Sequence, residues 1–370
     1  MPDHEQGPVS LSDLPSGGLV GRAAESAAIQ RTLGRTRLVT ITGPPGVGKT
    51  AVGIATAARL SPGFADGAWL VRLDSLRDGS RVPDTIANVL KVPGGLTGRR
   101  LDALVDDLCG RRLLLVLDTC EHLAGACAEL AMRLLLMPSN GTRILATSRQ
   151  SLRVPGGLTV AIGPLPLHDA VTVFGRRAAE AAPRFRVTPE NRAMVAAICR
   201  RLDQLPLAIE LAARQLAAGP LERLCSRLEE DYWFLRNAGN VPPRQQSLRA
   251  AIGWSYQLCR PAEQLLWARL SVFTGAFTVG DAQDVCSDKT LPEEVIDAAV
   301  AMLAVRSIVS IEPRSGGQTR FRLPATVRAY GAVMLPPGDD KWERRHRAWQ
   351  AGHQGHQRET AEDDQGTLPR

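Results

Sequence analysis

Arg37-Leu-Val-Thr-Ile-Thr42 runs directly into Gly43-Pro-Pro-Gly-Val-Gly-Lys-Thr50, and the reading of this stretch decides the fold. Its first part is apolar and β-branched, the make-up of a strand covered on both faces. Its second part matches Gly-x-x-x-x-Gly-Lys-[Ser/Thr] in full. From Lys49 to Leu60 the residues favour a helix, so the order is strand, loop, helix. Gly43, Gly46 and Gly48, with Pro45 and Val47 among them, let the backbone curl until amide hydrogens face a phosphate. The following helix N-terminus adds a favourable partial positive charge. Lys49 is placed to reach β and γ phosphates, and Thr50 to offer its hydroxyl to Mg²⁺. The expected ligand is ATP or ADP with Mg²⁺.

Outward from this stretch, strands alternate with helices. Gly67-Ala-Trp-Leu-Val-Arg-Leu73, Leu113-Leu-Leu-Val-Leu117, Thr142-Arg-Ile-Leu-Ala-Thr147 and Leu158-Thr-Val-Ala-Ile162 read as strands, and 84–90, 100–108 and 123–136 as helices. Such alternation predicts an α/β domain with a mostly parallel sheet over 19–164. Asp118 closes the strand from Leu113, which sets a carboxylate at the sheet edge where open α/β folds bind ligands, the place of a Walker B aspartate that holds Mg²⁺. Three residues on, Glu121 is a candidate to polarise a water; capping the next helix or facing solvent is the alternative. Arg149 follows the strand through Thr147 and Ser148, where it could sense a γ-phosphate or pair with a local acid.

Beyond Pro164 the pattern turns to helices without strands, at 167–182, 189–202, 206–217 and 220–228, with prolines near several starts. A small helical domain over 165–236 is implied, then a linker over 237–246 rich in Gly, Asn and Pro. Helices are expected at 247–258, 262–273, 279–286 and 293–303. The alternating run Ser307-Ile-Val-Ser-Ile311, a turn at Ser315-Gly-Gly and a return strand Thr319-Arg-Phe-Arg-Leu323 complete a winged-helix domain over 247–336. Residues 1–18 read as a flexible tail. The polar tail 337–370 is expected to be helical over 341–351, with Trp342 and Trp349 on one face, and disordered from Asp363.

Composition narrows the classes. The 370-residue, 39.8 kDa chain exceeds the usual span of one core, so two or three domains are expected. No apolar run is long enough to span a bilayer and the start lacks a secretory pattern, so a cytoplasmic protein with no membrane partner is expected. Seven cysteines have no Cys-x-x-Cys spacing and read as buried small hydrophobes; the six histidines suggest no metal site. Net charge is +7, yet no basic cluster joins a recognition helix, and direct DNA binding is not expected.

Leu19-Val-Gly-Arg-Ala-Ala-Glu25, the P-loop, Leu113-Leu-Leu-Val-Leu-Asp-Thr-Cys-Glu-His-Leu123, Ala146-Thr-Ser-Arg149 and Leu205-Pro-Leu-Ala-Ile-Glu-Leu-Ala212 occur in that order. Together they resemble the NB-ARC class of signal-transduction (STAND) ATPases, above all those of actinobacterial regulators with a DNA-binding domain of the antibiotic-regulatory or LuxR kind. The resemblance covers about 19–335. It implies that Val20, Gly21 and Arg22 lie against adenine and ribose, that Arg149 is a sensor arginine, and that Pro206 helps the helical domain close over the nucleotide. By position alone Pro206 is a first-turn helix proline. It also implies that Trp254, Trp267 and Phe273 are core aromatics, and that the winged helix packs on the nucleotide module in preference to DNA.

The chain departs from the family at three points. Thr119 stands where Asn or an acid is usual, Gln204 where Gly is usual, and Leu323-Pro-Ala-Thr where a methionine-histidine-aspartate motif is usual. The first implies poor hydrolysis and the second altered closure around ADP. The leading expectation is an ATP/ADP switch with slow hydrolysis, the regulatory module of a transcriptional regulator, with self-association in one nucleotide state or a protein partner. The alternatives are a dedicated ATPase doing mechanical or chemical work, and DNA binding through the winged helix. DNA-binding and sensor domains are not among these residues, as in a piece of a longer protein, a stand-alone module or a degraded relative.

Overall fold

The computed structural model describes residues 9–10, 19–92, 101–137, 141–237, 246–315, 318–338 and 340–352. They fall into two compact units, the first comprising residues up to Arg200 together with Gln204–Cys225, the second Arg201–Asp203 together with residues from Ser226 onward.

In the first unit, β1 (Val9–Ser10), α1 (Ala23–Arg35), β2 (Leu38–Thr42) and α2 (Lys49–Leu60) are followed by β3 (Ala68–Arg72), α3 (Val82–Val89) and α4 (Leu101–Leu108). Then come β4 (Leu114–Asp118), α5 (Ala124–Leu136), β5 (Arg143–Thr147) and β6 (Leu158–Ala161). Helices α6 (Leu167–Ala181), α7 (Pro189–Arg201), α8 (Pro206–Arg214) and α9 (Leu221–Glu230) complete the series, α7 and α9 each passing into the second unit at one end. The strands form one sheet in the order β1-β3-β4-β5-β2-β6. All neighbours are parallel except β1, which pairs antiparallel with β3 through Trp69 and Leu70.

Central strands are apolar because both faces are covered: Leu113 to Leu117 are wholly buried. Ile86, Leu104, Leu108 and Leu130 pack with Leu113, Leu115 and Leu117 from α3, α4 and α5. Each such side chain contributes about 1.5–3 kcal/mol on burial. On α1 and α2, Ile29, Leu33, Val52 and Ala57 are buried too. β6 is an edge strand and mostly exposed.

The second unit contains α10 (Leu248–Gln257), α11 (Pro261–Leu270), β7 (Ala276–Phe277), α12 (Val279–Cys286), α13 (Glu293–Val305), β8 (Ser310–Ser315), β9 (Gln318–Arg322) and α14 (Ala325–Met334). Its sheet has the order β7-β9-β8, antiparallel throughout, which makes a winged helix of the whole. Trp267 and Phe273 are buried core aromatics and Trp254 is half-buried. Trp267 Nε1 donates to Val327 O at 3.0 Å, joining α11 to α14. Residues 341–352 form a helix on which Trp342 is buried beneath the Arg269 guanidinium, 4.0 Å from the ring centre.

Two expectations are corrected. The segment 1–18, read as a flexible tail, contributes β1. A strand this short is held by backbone pairing to the edge of β3, for which an apolar pattern is not needed. The strand expected from Ser307 starts at Ser310. Ser307 has φ +57° and its N–H donates to Ala304 O, while Ile308 N–H donates to Leu303 O, so this segment ends α13 instead. Most of the proposed linker (238–245), the hairpin glycines 316 and 317 and the disordered end expected at 363–370 lie outside the described residues.

Candidate nucleotide site

Register brings the motif residues together. Leu117 pairs with Ala146 and Ile41 with Thr147, so the carboxyl ends of β4, β5 and β2 lie side by side. Asp118 and Thr147 are the last residues of their strands, Thr42 the last of β2. From Thr42 the chain enters the P-loop. Gly43, Pro45 and Val47 are buried, and Gly46 and Gly48 take φ +74° and +94°, values open to glycine, which lets Gly48 cap α2 in the left-handed region.

Lys49 Nζ donates to Gly43 O at 2.8 Å and to Pro44 O at 3.0 Å, which folds it back over the loop. Thr50 Oγ1 donates to Asp118 Oδ1 at 2.5 Å, and Thr147 Oγ1 donates to the same oxygen at 2.6 Å. A hydroxyl and a carboxylate this close fit a shared divalent cation, the donor set that suits Mg²⁺. Thr119 N–H and Cys120 N–H donate to Thr147 Oγ1 and O, both at 2.9 Å. Thr147 thus braces the turn that presents Asp118. In the sequence Thr147 is only the end of the strand that leads to Arg149; its place next to Asp118 follows from strand pairing, which a single strand pattern does not reveal.

Arg149 Nε donates to Glu121 Oε1 at 3.2 Å, both side chains being 8% exposed. His122, next to Glu121, holds the loop after β3 through Leu73 O and Leu76 O.

The segment before α1 is fixed to the same loop. Arg22 is buried; its guanidinium donates to Val47 O at 3.0 Å, to Gly163 O at 2.9 Å and to Glu25 at 2.6 Å. Gly21 has φ +70°, and a Cβ there would lie 2.4 Å from Asp169 Oδ2. Val20, beside it, is half-buried. Arg22 is therefore a brace of the P-loop backbone, a role beyond the contact with adenine and ribose that the family resemblance implies.

Pro206 is the first residue of α8, and its ring lies 3.9 Å from where a Cβ on Gly48 would be. Leu207 N–H donates to Gly46 O at 3.1 Å. The start of α8 is thus seated on the P-loop. Before it, Asp203 and Gln204 have φ +52° and +55°. Asp203 accepts from Ala325 N, Thr326 N and Thr326 Oγ1 at 2.7–2.8 Å, within the second unit.

Among the described residues no helix is long and apolar enough to cross a membrane. Residues 260–336 match the family described as winged helix-turn-helix domain. A putative HTH-type transcriptional regulator of Mycobacterium tuberculosis is 38% identical over 324 residues, 85% of this chain and 36% of the regulator. The chain thus spans little more than a third of that regulator's length. An uncharacterised protein of the same organism is 36% identical over 319 residues, covering 85% of this chain and 81% of that protein. Among solved structures, a Walker-type ATPase of Pyrococcus abyssi superposes with TM-score 0.59 at 15% identity, over 88% of this chain and all of that one.

Proposed function

The chain belongs to the family of actinobacterial proteins that join a STAND-type P-loop ATPase fold to a winged helix, and from that premise we propose a switch set by ATP and ADP. The observation that carries this reading is the seating of α8 on the P-loop through Leu207 and Gly46, beside the Thr50–Asp118 pair. Lys49 and the loop amides would bind phosphate, Thr50 and Asp118 would hold Mg²⁺, and Val20 to Arg22 would border the base. Pro206 would report whether the loop is filled. Bound nucleotide supplies phosphate charge to which these residues respond; the work of the protein is a shift between two arrangements.

Thr119 offers no second carboxylate beside Asp118, which supports slow hydrolysis that resets the state. The name of the larger mycobacterial relative supports a regulatory module of a transcriptional regulator; we take it to be cytoplasmic and to pass its state to a protein partner or to a second copy. We take 19–164, 165–236 and 247–336 as its working parts, 237–246 as a linker, and 1–18 and 337–370 as its ends.

Calorimetry tests the site. ATP and ADP are expected to bind with Mg²⁺ at micromolar affinity or tighter, and Lys49→Ala to weaken both about tenfold or more by removing a charge from the phosphates. Equal affinities for the two proteins would remove the assignment. Phosphate release is expected to stay below about 1 s⁻¹, under the usual range of dedicated enzymes; faster turnover would favour a working ATPase.

A further inference from the structure

Glu121 and Arg149 follow different strands, β4 and β5, and meet at the carboxyl edge of the sheet. Glu121 lies three residues past Asp118 and Arg149 two residues past Thr147, the residue whose hydroxyl binds Asp118. Their contact is 3.2 Å and each side chain is 8% exposed, so the pair is held largely out of water, where exchanging one anion for another is decided by direct contacts more than by screening. Glu121 Oε1 accepts from the Arg149 guanidinium, the geometry of a group that holds its neighbour.

We propose that Glu121 is the positioning residue for Arg149 and sets the preference between ATP and ADP. For Arg149 to bind a terminal phosphate it must loosen its bond to Glu121, so the gain from a γ-phosphate is reduced by the pair it displaces. ADP reaches no such exchange. The protein then resists ATP until something else favours the ATP arrangement, which is what a switch kept off at rest requires. The inference rests on the nucleotide-site reading above.

The test is titration of ADP and of a non-hydrolysable ATP analogue, with Mg²⁺, into wild type, Glu121→Gln, Arg149→Met and the double variant. Glu121→Gln is expected to tighten the analogue about tenfold and to leave ADP within about twofold. In the Arg149→Met background the same change is expected to do nothing, because Glu121 acts through Arg149. If Glu121→Gln tightened the analogue equally without Arg149, Glu121 would be repelling the phosphate directly and the positioning role would fall. If Glu121→Gln shifted neither nucleotide while Lys49→Ala weakened both, the inference would fall and the nucleotide site would stand. If Lys49→Ala also did nothing, both would fall. Should Glu121→Gln fail to fold, Glu121→Asp carries the test: it keeps the charge but withdraws it by one methylene, so a smaller rise of the same sign is expected, absent in Arg149→Met. No rise with Glu121→Asp in a folded protein would overturn the proposal.

Discussion

Thr119 takes φ +69°, a value a β-branched residue adopts only under constraint. The constraint is local: its N–H is held by Thr147 Oγ1, which in turn donates to Asp118. Relaxing Thr119 would turn the Asp118 carboxylate, so strain at one residue secures aim at the next. Asn tolerates the left-handed region far better, and the family resemblance puts Asn at this position. Thr119→Asn is therefore expected to stabilise the protein by about 1 kcal/mol, seen as a higher Tm with nucleotide affinity kept. A lower Tm would mean that the Thr119 side chain contributes more than its backbone strain removes. Gln204, at φ +55°, stands where glycine is usual, and the conformation explains the usual glycine. Both departures were legible in the sequence as mismatches; their cause was not, because φ at a single turn is set by the bonds of its neighbours.

α14 begins at Ala325 behind Pro324, a residue with no side chain able to cap it, and the structure supplies the cap from Asp203. Burial raises the pKa of Asp203 above the ordinary value despite these bonds. Asp288 behaves in the opposite sense. Burial would raise its pKa, but hydrogen bonds from Thr290, Lys341 and Arg269 hold the carboxyl well below the usual carboxylate range. Lys341 opens the helix over 341–352 and Arg269 lies on α11, so Asp288 ties that helix to the winged helix. A depressed folded pKa adds stability above the unfolded value of about 4 and loses it as pH falls through the folded value. Thermal melts from pH ~5 to ~2 are expected to show the second unit weakening in acid, with a shallower slope in Asp288→Asn; an unchanged slope would assign the effect to other carboxylates. The parallel strands β2 to β6 and the helices from Lys49 to Glu230 were legible within a few residues because their periodicity and proline starts agree with their burial. α14 was not recognised as a helix, since its cap comes from more than a hundred residues away. β8 was displaced because Ile308 and Val309 are apolar for the core and not for a strand face.

The chain crosses between its two units at Arg200, Asp203 and Cys225. The middle crossing is bracketed by hydrogen bonds on either side. Leu207 N–H is bonded to Gly46 O inside the first unit, and four residues earlier Asp203 caps α14 inside the second. Filling the P-loop is expected to stiffen Gly46, α8 to follow through Leu207, and the first turn of α14 to respond through Asp203. Coupling of this kind must appear as a measurable difference at the far end. Hydrogen exchange of the Ala325 and Thr326 amides is the direct readout, because Asp203 accepts from both. Mg²⁺-ADP is expected to change their protection in the wild type. Pro206→Ala, which loosens the seat of α8, is expected to weaken ATP and ADP by similar factors and to shrink that change. Asp203→Ala is expected to destabilise the second unit by about 1–2 kcal/mol through the lost cap, leave ADP affinity in place, and abolish the nucleotide response at α14. If α14 exchanged alike with and without nucleotide in the wild type, while calorimetry showed binding, the P-loop would bind its ligand without informing the winged helix, and the switch reading would have to find another of the three crossings.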